Sequence, residues 1–382
     1  MLAQEVFLHK NKRFISGFKV VSSKENCVYK LCERNILMAF LQQALNKFLL
    51  SFLLLFAFNN LRAQNGRGND TTYYIYFPGS ITGRLFTSQK YTRFTLESKD
   101  AKTLSYRPNT TFNLGVGATY HNFTLNLAYG FGFVNHDQQK GKTKYLDLQG
   151  HFYLPKWVTD FEGQLYKGFH LSKGFLADPG KYYYRGDMNV TLFGLSQYYI
   201  FNSKRFSYRA PFLQNEWQKK SAGTLLAGAE VYYGVVKADS SLIPSPLQEK
   251  YPQRNLNKIN YFSIGPGIGY AYTLVLFHHL FFTGSLTGDL NFSFANEHLQ
   301  NNSSSNFSIN PGTRFRIAAG YNGRNWNISA NWIADNLPFK SVTDQSSYHF
   351  NTGNYRIIIA RRFNSGPRLQ KHLRLLNKIF KE

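Results

Sequence analysis

The stretch PNTTFNLGVGATYHNFTLNLAYGFGF, residues 108–133, alternates apolar with small or polar side chains, pauses at His121-Asn122, and resumes the alternation. Its first arm sets Phe112, Leu114, Val116, Ala118 and Tyr120 on one face and Asn109, Thr111, Asn113, Gly115, Gly117 and Thr119 on the other. Its second arm opposes Phe123, Leu125, Leu127, Tyr129, Phe131 and Phe133 to Thr124, Asn126, Ala128, Gly130 and Gly132. A period of two is that of a β-strand. A two-residue turn at His121-Asn122 pairs Tyr120 with Phe123 and Val116 with Leu127, so the apolar faces coincide. The arms run eleven and thirteen residues, against about five or six for a strand in a soluble sandwich. The polar face is small rather than charged, which suits a narrow closed interior. Strands of about nine to eleven residues, apolar toward lipid and polar toward a lumen, build membrane barrels.

The same period recurs at residues 80–96, 142–154, 157–171, 184–201, 224–237, 259–276, 280–294, 307–321, 326–337 and 348–363, which with the opening hairpin makes twelve strands. The expected fold is all-β: a transmembrane, antiparallel, up-and-down barrel of about twelve strands over residues 80–364. An even count leaves both ends in the periplasm, where turns are short and outer loops longer. Connections after even-numbered strands are short: His121-Asn122, Pro155-Lys156, the neighbourhood of 202–204, residues 277–279 and Gly323-Arg324. Those after odd-numbered strands are longer, among them HDQQKGK, SKGFLADPGKYY, ADSSLIPSPLQEKYPQRNLN, NEHLQNNSSSN and residues 340–347. Residues 206–223, FSYRAPFLQNEWQKKSAG, fit neither class. They are either a strand start broken by Pro211 or a segment folded into the lumen, with Glu216, Trp217, Lys219 and Lys220 as its polar and aromatic members.

The chain carries 45 Lys and Arg against 21 Asp and Glu, a formal charge of +24, and is 17% aromatic. Aromatic girdles account for the second figure. The one long apolar run, FLLSFLLLFAF at residues 48–58, is too short to span a bilayer as a helix but matches the apolar region of a signal peptide. Lys47 precedes it, and cleavage is expected between Ala63 and Gln64. Because almost fifty residues come before that run, Met38 is the expected start, with 1–37 an upstream extension, 38–63 a signal peptide for Sec export and 64–79 a periplasmic segment. Both cysteines, Cys27 and Cys32, lie in the extension, which leaves neither a disulfide framework nor a thiolate metal site beyond it. Nine basic and three acidic residues precede Gln64, leaving +18 on the remainder. That charge suits a surface rich in lipid phosphates, and no clustered basic stripe suggests nucleic acid. The expected location is the outer membrane of a Gram-negative bacterium.

The last strand, NYRIIIARRF, sets Tyr355, Ile357, Ile359 and Phe363 on one face and closes on an aromatic. The strand from Tyr355 to Phe363 is thus the expected signal for barrel-insertion machinery. The tail RLQKHLRLLNKIFKE, within residues 365–382, places Leu369, Leu373, Leu376, Ile379 and Phe380 along one helical stripe. This basic amphipathic helix either lies on the inner leaflet or packs over the barrel mouth.

The phrases RPNTTFNLGVGATY, FTLNLAYGFGF, KGKTKYLDLQ and NEWQKKSAG resemble the Bacteroidota family called domain of unknown function 4421, over roughly residues 80–363. The resemblance implies an outer-membrane β-barrel and brings no activity, substrate or catalytic residue. The Ala63-Gln64 context is also similar to signal peptides of that phylum, and the expected lipid partners include lipopolysaccharide.

Strand parity then assigns the lumen. Asp147, Asp160, Glu162, Asp187, Glu230 and Asp289 form an acidic wall, and Arg84, Arg107, Arg314, Arg316, Arg356 and Arg362 a basic one. Opposed charges either bridge and close the lumen or flank water and set a transverse field at a constriction. The favoured expectation is a narrow charged channel for small solutes. The alternatives are a plugged structural or partner-binding barrel and an outer-membrane lipid-modifying hydrolase. For the last, a turn at Pro155-Lys156 sets His151 opposite Asp160, as in a general base oriented by a carboxylate. No serine shares that register. His278-His279 has no further ligands at metal spacing, and GPGIG lies in a strand with no helix following. No cofactor, metal or nucleotide is therefore expected.

Overall fold

In a computed structural model the protein is described over residues 68–364 and 366, apart from 78, 122, 132–136, 177, 178, 300, 301 and 344. The expected upstream extension and signal peptide and, apart from Gly366, the C-terminal tail lie outside the described residues.

Long alternating segments become long strands. They are β1 (Tyr74–Tyr76), β2 (Ser80–Ser98), β3 (Ala101–Tyr106), β4 (Asn113–Tyr120), β5 (Phe123–Gly130), β6 (Lys144–Tyr153), β7 (Trp157–Leu171), β8 (Tyr183–Ile200), β9 (Glu216–Gln218), β10 (Ala222–Lys237), β11 (Leu256–Leu276), β12 (Leu280–Leu299), β13 (Asn302–Asn322), β14 (Trp326–Lys340) and β15 (Ser346–Asn364). Each of the twelve strands read from the sequence is present. Twelve neighbours run β5-β4-β2-β15-β14-β13-β12-β11-β10-β8-β7-β6. The last strand pairs antiparallel with the first long one, from Asn364↔Ser80 to Ser346↔Ser98.

Between β5 and β6 no ladder is formed among the described residues. Side chains cross that seam instead: Lys90 Nζ lies 3.1 Å from the Asp147 carboxylate, and Asn109 N–H donates to Thr143 Oγ1 at 2.8 Å. Toward the loop end β3 pairs with β2 on one side, and Arg107 bridges antiparallel to His170 of β7 on the other. The sheet is thus nearly closed by different strands at its two ends.

Side-chain alternation separates the faces. Leu114, Val116, Leu125, Leu127, Leu146, Leu148, Ile268, Leu286, Ile357 and Ile359 are exposed on the outer face. Their inward neighbours are polar or glycine near mid-strand and apolar toward the loop end. An exposed apolar band of this kind is stable only in lipid.

Three expectations are corrected. NEHLQNNSSSN is not a loop: β12 and β13 continue through it to Leu299↔Asn302, with Glu297 turned inward to accept from Ser341 and Tyr348. The connection after β8 is not short. Residues 201–221 fold back instead, carrying a helical turn, α1 (Arg209–Phe212), and β9, which pairs with β1 (Tyr76↔Glu216). Finally, the second strand begins at Asn113 and not Pro108, since residues 107–112 leave the sheet after β3.

A Cβ added at Gly228, on the inward face of β10, would stand 1.9 Å from the Gln197 carbonyl oxygen. Gly228→Val is expected to separate β10 from β8 and to destabilise the barrel by about 1–3 kcal/mol. In heat-modifiability gels the folded band should disappear at a lower temperature than for the wild type.

Candidate functional site

The lumen is occupied at three levels. Toward the loop end the inward faces are apolar: Phe94, Leu96, Tyr106, Phe169, Leu192, Val236, Phe339, Tyr348 and Phe350 form one buried cluster. The loop at 238–255 covers it, contributing Leu242, Ile243 and Tyr251. Tyr106 and Tyr251 tie this cover down by donating hydroxyl hydrogen bonds to the carbonyls of Leu242 and Lys102. Burial pushes the Tyr251 phenol up to about 12, which keeps it a neutral donor.

At mid-height the charged walls meet. Arg314, 2% exposed, donates to Asp335, Ser196 and Tyr232. Its guanidinium also lies 3.8 Å from Asp160 and 3.6 Å from Glu162 across the lumen. Arg316, fully buried, donates to Asp160. Asp160 further accepts from Tyr153 at 3.1 Å and pairs with His151 Nδ1 at 2.7 Å. Thr352 donates to Glu162 at 3.2 Å, and Asn291 to Glu230 at 2.8 Å, while Tyr198 donates to Asp289. This is a hydrogen-bonded layer spanning the barrel from β13 and β14 to β7 and β8.

At the short-turn end residues 206–218 and β1 fill the opening. Tyr208 stacks on Phe212 (5.5 Å), meets Tyr153 edge-on (5.6 Å) and donates to Ser285. Arg209 lies 3.4 Å from Glu216 and donates to the His121 carbonyl at 2.5 Å. Arg84 and Arg362 reach from the wall to the carbonyls of Leu213 (2.8 Å) and Glu216 (2.9 Å). Trp217 donates to the His278 carbonyl at 2.9 Å and stacks on His279 at 5.1 Å. Lys219 and Lys220 leave the insert at its outer edge, where both amides donate to the Tyr73 carbonyl.

Of the residues singled out by parity, Arg314, Arg316, Asp160, Glu162 and Glu230 are brought into the central layer, and Arg84 holds the insert. Asp147 pairs with Lys90 and accepts from Tyr166 at 2.6 Å. Arg356 lies 4.9 Å from the Phe86 ring. Two placements are corrections. Arg107 is exposed on the outer face, because the irregular residues 107–112 reset the alternation counted back from β4. Asp187 stands at the loop-end rim, accepting from Arg185 Nε and Nη2 at 2.8 Å, because it shares the parity of the exposed Phe193 and not that of the buried Met188 and Val190.

Arg209 and Asp335 were not singled out. A two-residue turn at Gly323-Arg324 would set Ile333 opposite Arg314; the observed register pairs Asn322 with Asn327, two residues further, and this brings Asp335 there.

His151 has its Nδ1 on Asp160 and its Nε2 without a hydrogen-bond partner. It faces a void of about 10 Å³ shared with Tyr153, Phe212, Asn331, Ile333, Asn354 and Arg356. A void of that size holds about one water, and Asp160 is already engaged by Arg316 and Tyr153. Among the described residues no group of three or more His, Cys, Asp and Glu is arranged to hold a metal ion.

The sheet and the outward apolar band define an outer-membrane-type β-barrel with an occupied lumen. Residues 68–363 match the family model described as domain of unknown function (DUF4421), and the chain belongs to that family. A search of curated proteins gave no match. Similar solved structures include the outer membrane protease OmpT from Escherichia coli (10% identity, 76% of this chain and 98% of that chain, TM-score 0.38). They also include the P. putida toluene transporter TodX (8%, 76% and 92%, TM-score 0.22). A third is Ail, the attachment invasion locus protein of Yersinia pestis (8%, 75% and 100%, TM-score 0.20).

Arg314→Met leaves Asp335, Asp160 and Glu162 facing one another without their shared cation. Breaking a buried pair in this way costs about 3–5 kcal/mol. The urea unfolding midpoint followed by tryptophan fluorescence should fall accordingly, whereas Lys219→Ala at the edge of the insert should leave it unchanged.

Proposed function

We propose that the protein is a closed outer-membrane barrel, acting through its outer face and end loops as a structural or partner-binding element rather than by passing solutes. The observation that carries this reading is the direct contact of Arg314 and Arg316 with Asp160 across the lumen. A selective constriction requires water between its opposed charges, and here the guanidiniums and carboxylates hydrogen-bond to one another. The apolar cluster above and the insert below support the same reading independently, since opening the lumen would require both to move.

The hydrolase reading has less to support it. His151 opens onto space for about one water, and its carboxylate partner is shared with an arginine.

Refolded protein in a planar bilayer should therefore give no reproducible conductance steps. A variant lacking residues 207–218 should also stay silent, because the central and loop-end layers remain. Steady unitary steps from the wild-type protein would restore the channel.

A further inference from the structure

On the outer face, Arg93 and Arg107 each follow directly on the last β2–β3 pair, Phe94↔Tyr106, and line one groove. Like charges brought close together repel. Among the described residues neither side chain has an ion-pair or hydrogen-bond partner. Arg93 Nε is moreover buried from solvent without a partner. A pair of cations held together in this way lacks an anion.

The surroundings show which anion fits. Arg93 and Arg107 lie in an outer-face groove of about 980 Å³, within the usual range of about 300–1,000 Å³ for ligand pockets. Its wall is residues 107–110, fixed by Asn109, which donates to the carbonyls of Asp137 and Gly141 at 2.8 Å, and by Thr110, which donates to the Lys90 carbonyl of β2 at 3.0 Å. The groove is therefore preformed.

Its floor is the sheet, arranged in bands. Level with Arg93 run Asn351 and Asn336, amide bonded to amide at 2.8 Å. One step toward the membrane centre is an aromatic band. Trp332 stacks on Tyr355 at 5.3 Å, donates to the Tyr91 hydroxyl at 3.2 Å and meets Phe315 edge-on at 4.4 Å. Below it follow Ile357, Ile359 and Leu85, all exposed.

Aromatic rings at this boundary mark the level of lipid headgroups, and the long-loop end is the outer one. We propose that this groove binds one phosphorylated glycolipid of the outer leaflet. Its phosphate lies between Arg93 and Arg107, its sugar hydroxyls on the Asn336–Asn351 row, and its acyl chains on the aromatic and aliphatic floor. Guanidinium forks match phosphate oxygens in pairs. The proposal stands on the outer face alone and holds whether or not the lumen conducts.

The test uses full-length protein refolded in neutral detergent, with thermal unfolding and native mass spectrometry as readouts. The probes are bisphosphorylated lipid A, dephosphorylated lipid A and phosphatidylglycerol. Without lipid, Arg107→Gln should unfold at a higher temperature than the wild type, since it relieves the repulsion. With lipid A the wild-type midpoint should rise by several degrees, and Arg93→Gln/Arg107→Gln should bind at least tenfold more weakly. Arg361→Ala, which removes an outer-face cation at the opposite end of β15, should bind as the wild type does. The proposal is overturned if the double variant retains lipid A as well as the wild type. It is equally overturned if dephosphorylated lipid A or phosphatidylglycerol raises the wild-type midpoint as much as lipid A does.

Discussion

A guanidinium removed from water inside a membrane barrel must be surrounded by acceptors, because leaving it unpaired there costs several kcal/mol. Arg314 meets that condition with partners from four different strands: Asp335 of β14, Ser196 of β8, Tyr232 of β10, and Asp160 and Glu162 of β7. These strands are far apart in the chain and lie on opposite sides of the lumen. The contacts therefore fix the register of each strand and draw the two walls together. A one-residue slip of β13 would turn Arg314 and Arg316 toward lipid, where no partner exists. Buried ion pairs contribute little net stability beyond well-packed apolar residues, so the central layer is better understood as specifying one closure than as strengthening it.

The other two layers follow from what the central one leaves open. Above it the inward faces change from charged to apolar, and the loop at 238–255 closes over Phe94, Tyr106 and Tyr348 as a soluble core would. Below it the chain folds residues 206–218 inward, and wall residues Arg84 and Arg362 satisfy carbonyls of that insert. Gly115, on the inward face of β4, is covered by the Phe86 ring. The barrel thus has its packing inside and its lipid contacts outside, with the outer face free to carry recognition.

Most of the fold was legible because alternation is a strong signal when one face meets lipid. All twelve long strands, their pairing order and the closure of the last on the first were readable from period and turn length. Legibility failed where the period was interrupted. Residues 107–112 leave the sheet between β3 and β4, and counting parity across that break turned Arg107 inward although it faces outward. Asp187 needed no such break: it shares the parity of the exposed Phe193 and was assigned to the wrong face. The insert has neither a strand nor a helix period, so its two possible readings could be separated only by tertiary contacts such as Tyr208 with Tyr153. The charged residues of the lumen were legible individually, but which pairs meet depended on barrel width. A partner lying one strand away, Asp335, was hidden because the Asn322↔Asn327 register lies two residues from the one a Gly323-Arg324 turn would set.

The most direct test of the sealed centre is the reactivity of a cysteine at position 196, in a chain with Cys27 and Cys32 changed to serine. Ser196→Cys keeps the side chain small beside Arg314, and a charged methanethiosulfonate reagent reports whether water reaches it from either end. The closed structure predicts no labelling of the folded barrel and complete labelling once it is unfolded by heat. Prompt labelling of the folded barrel would contradict a lumen sealed by its own side chains.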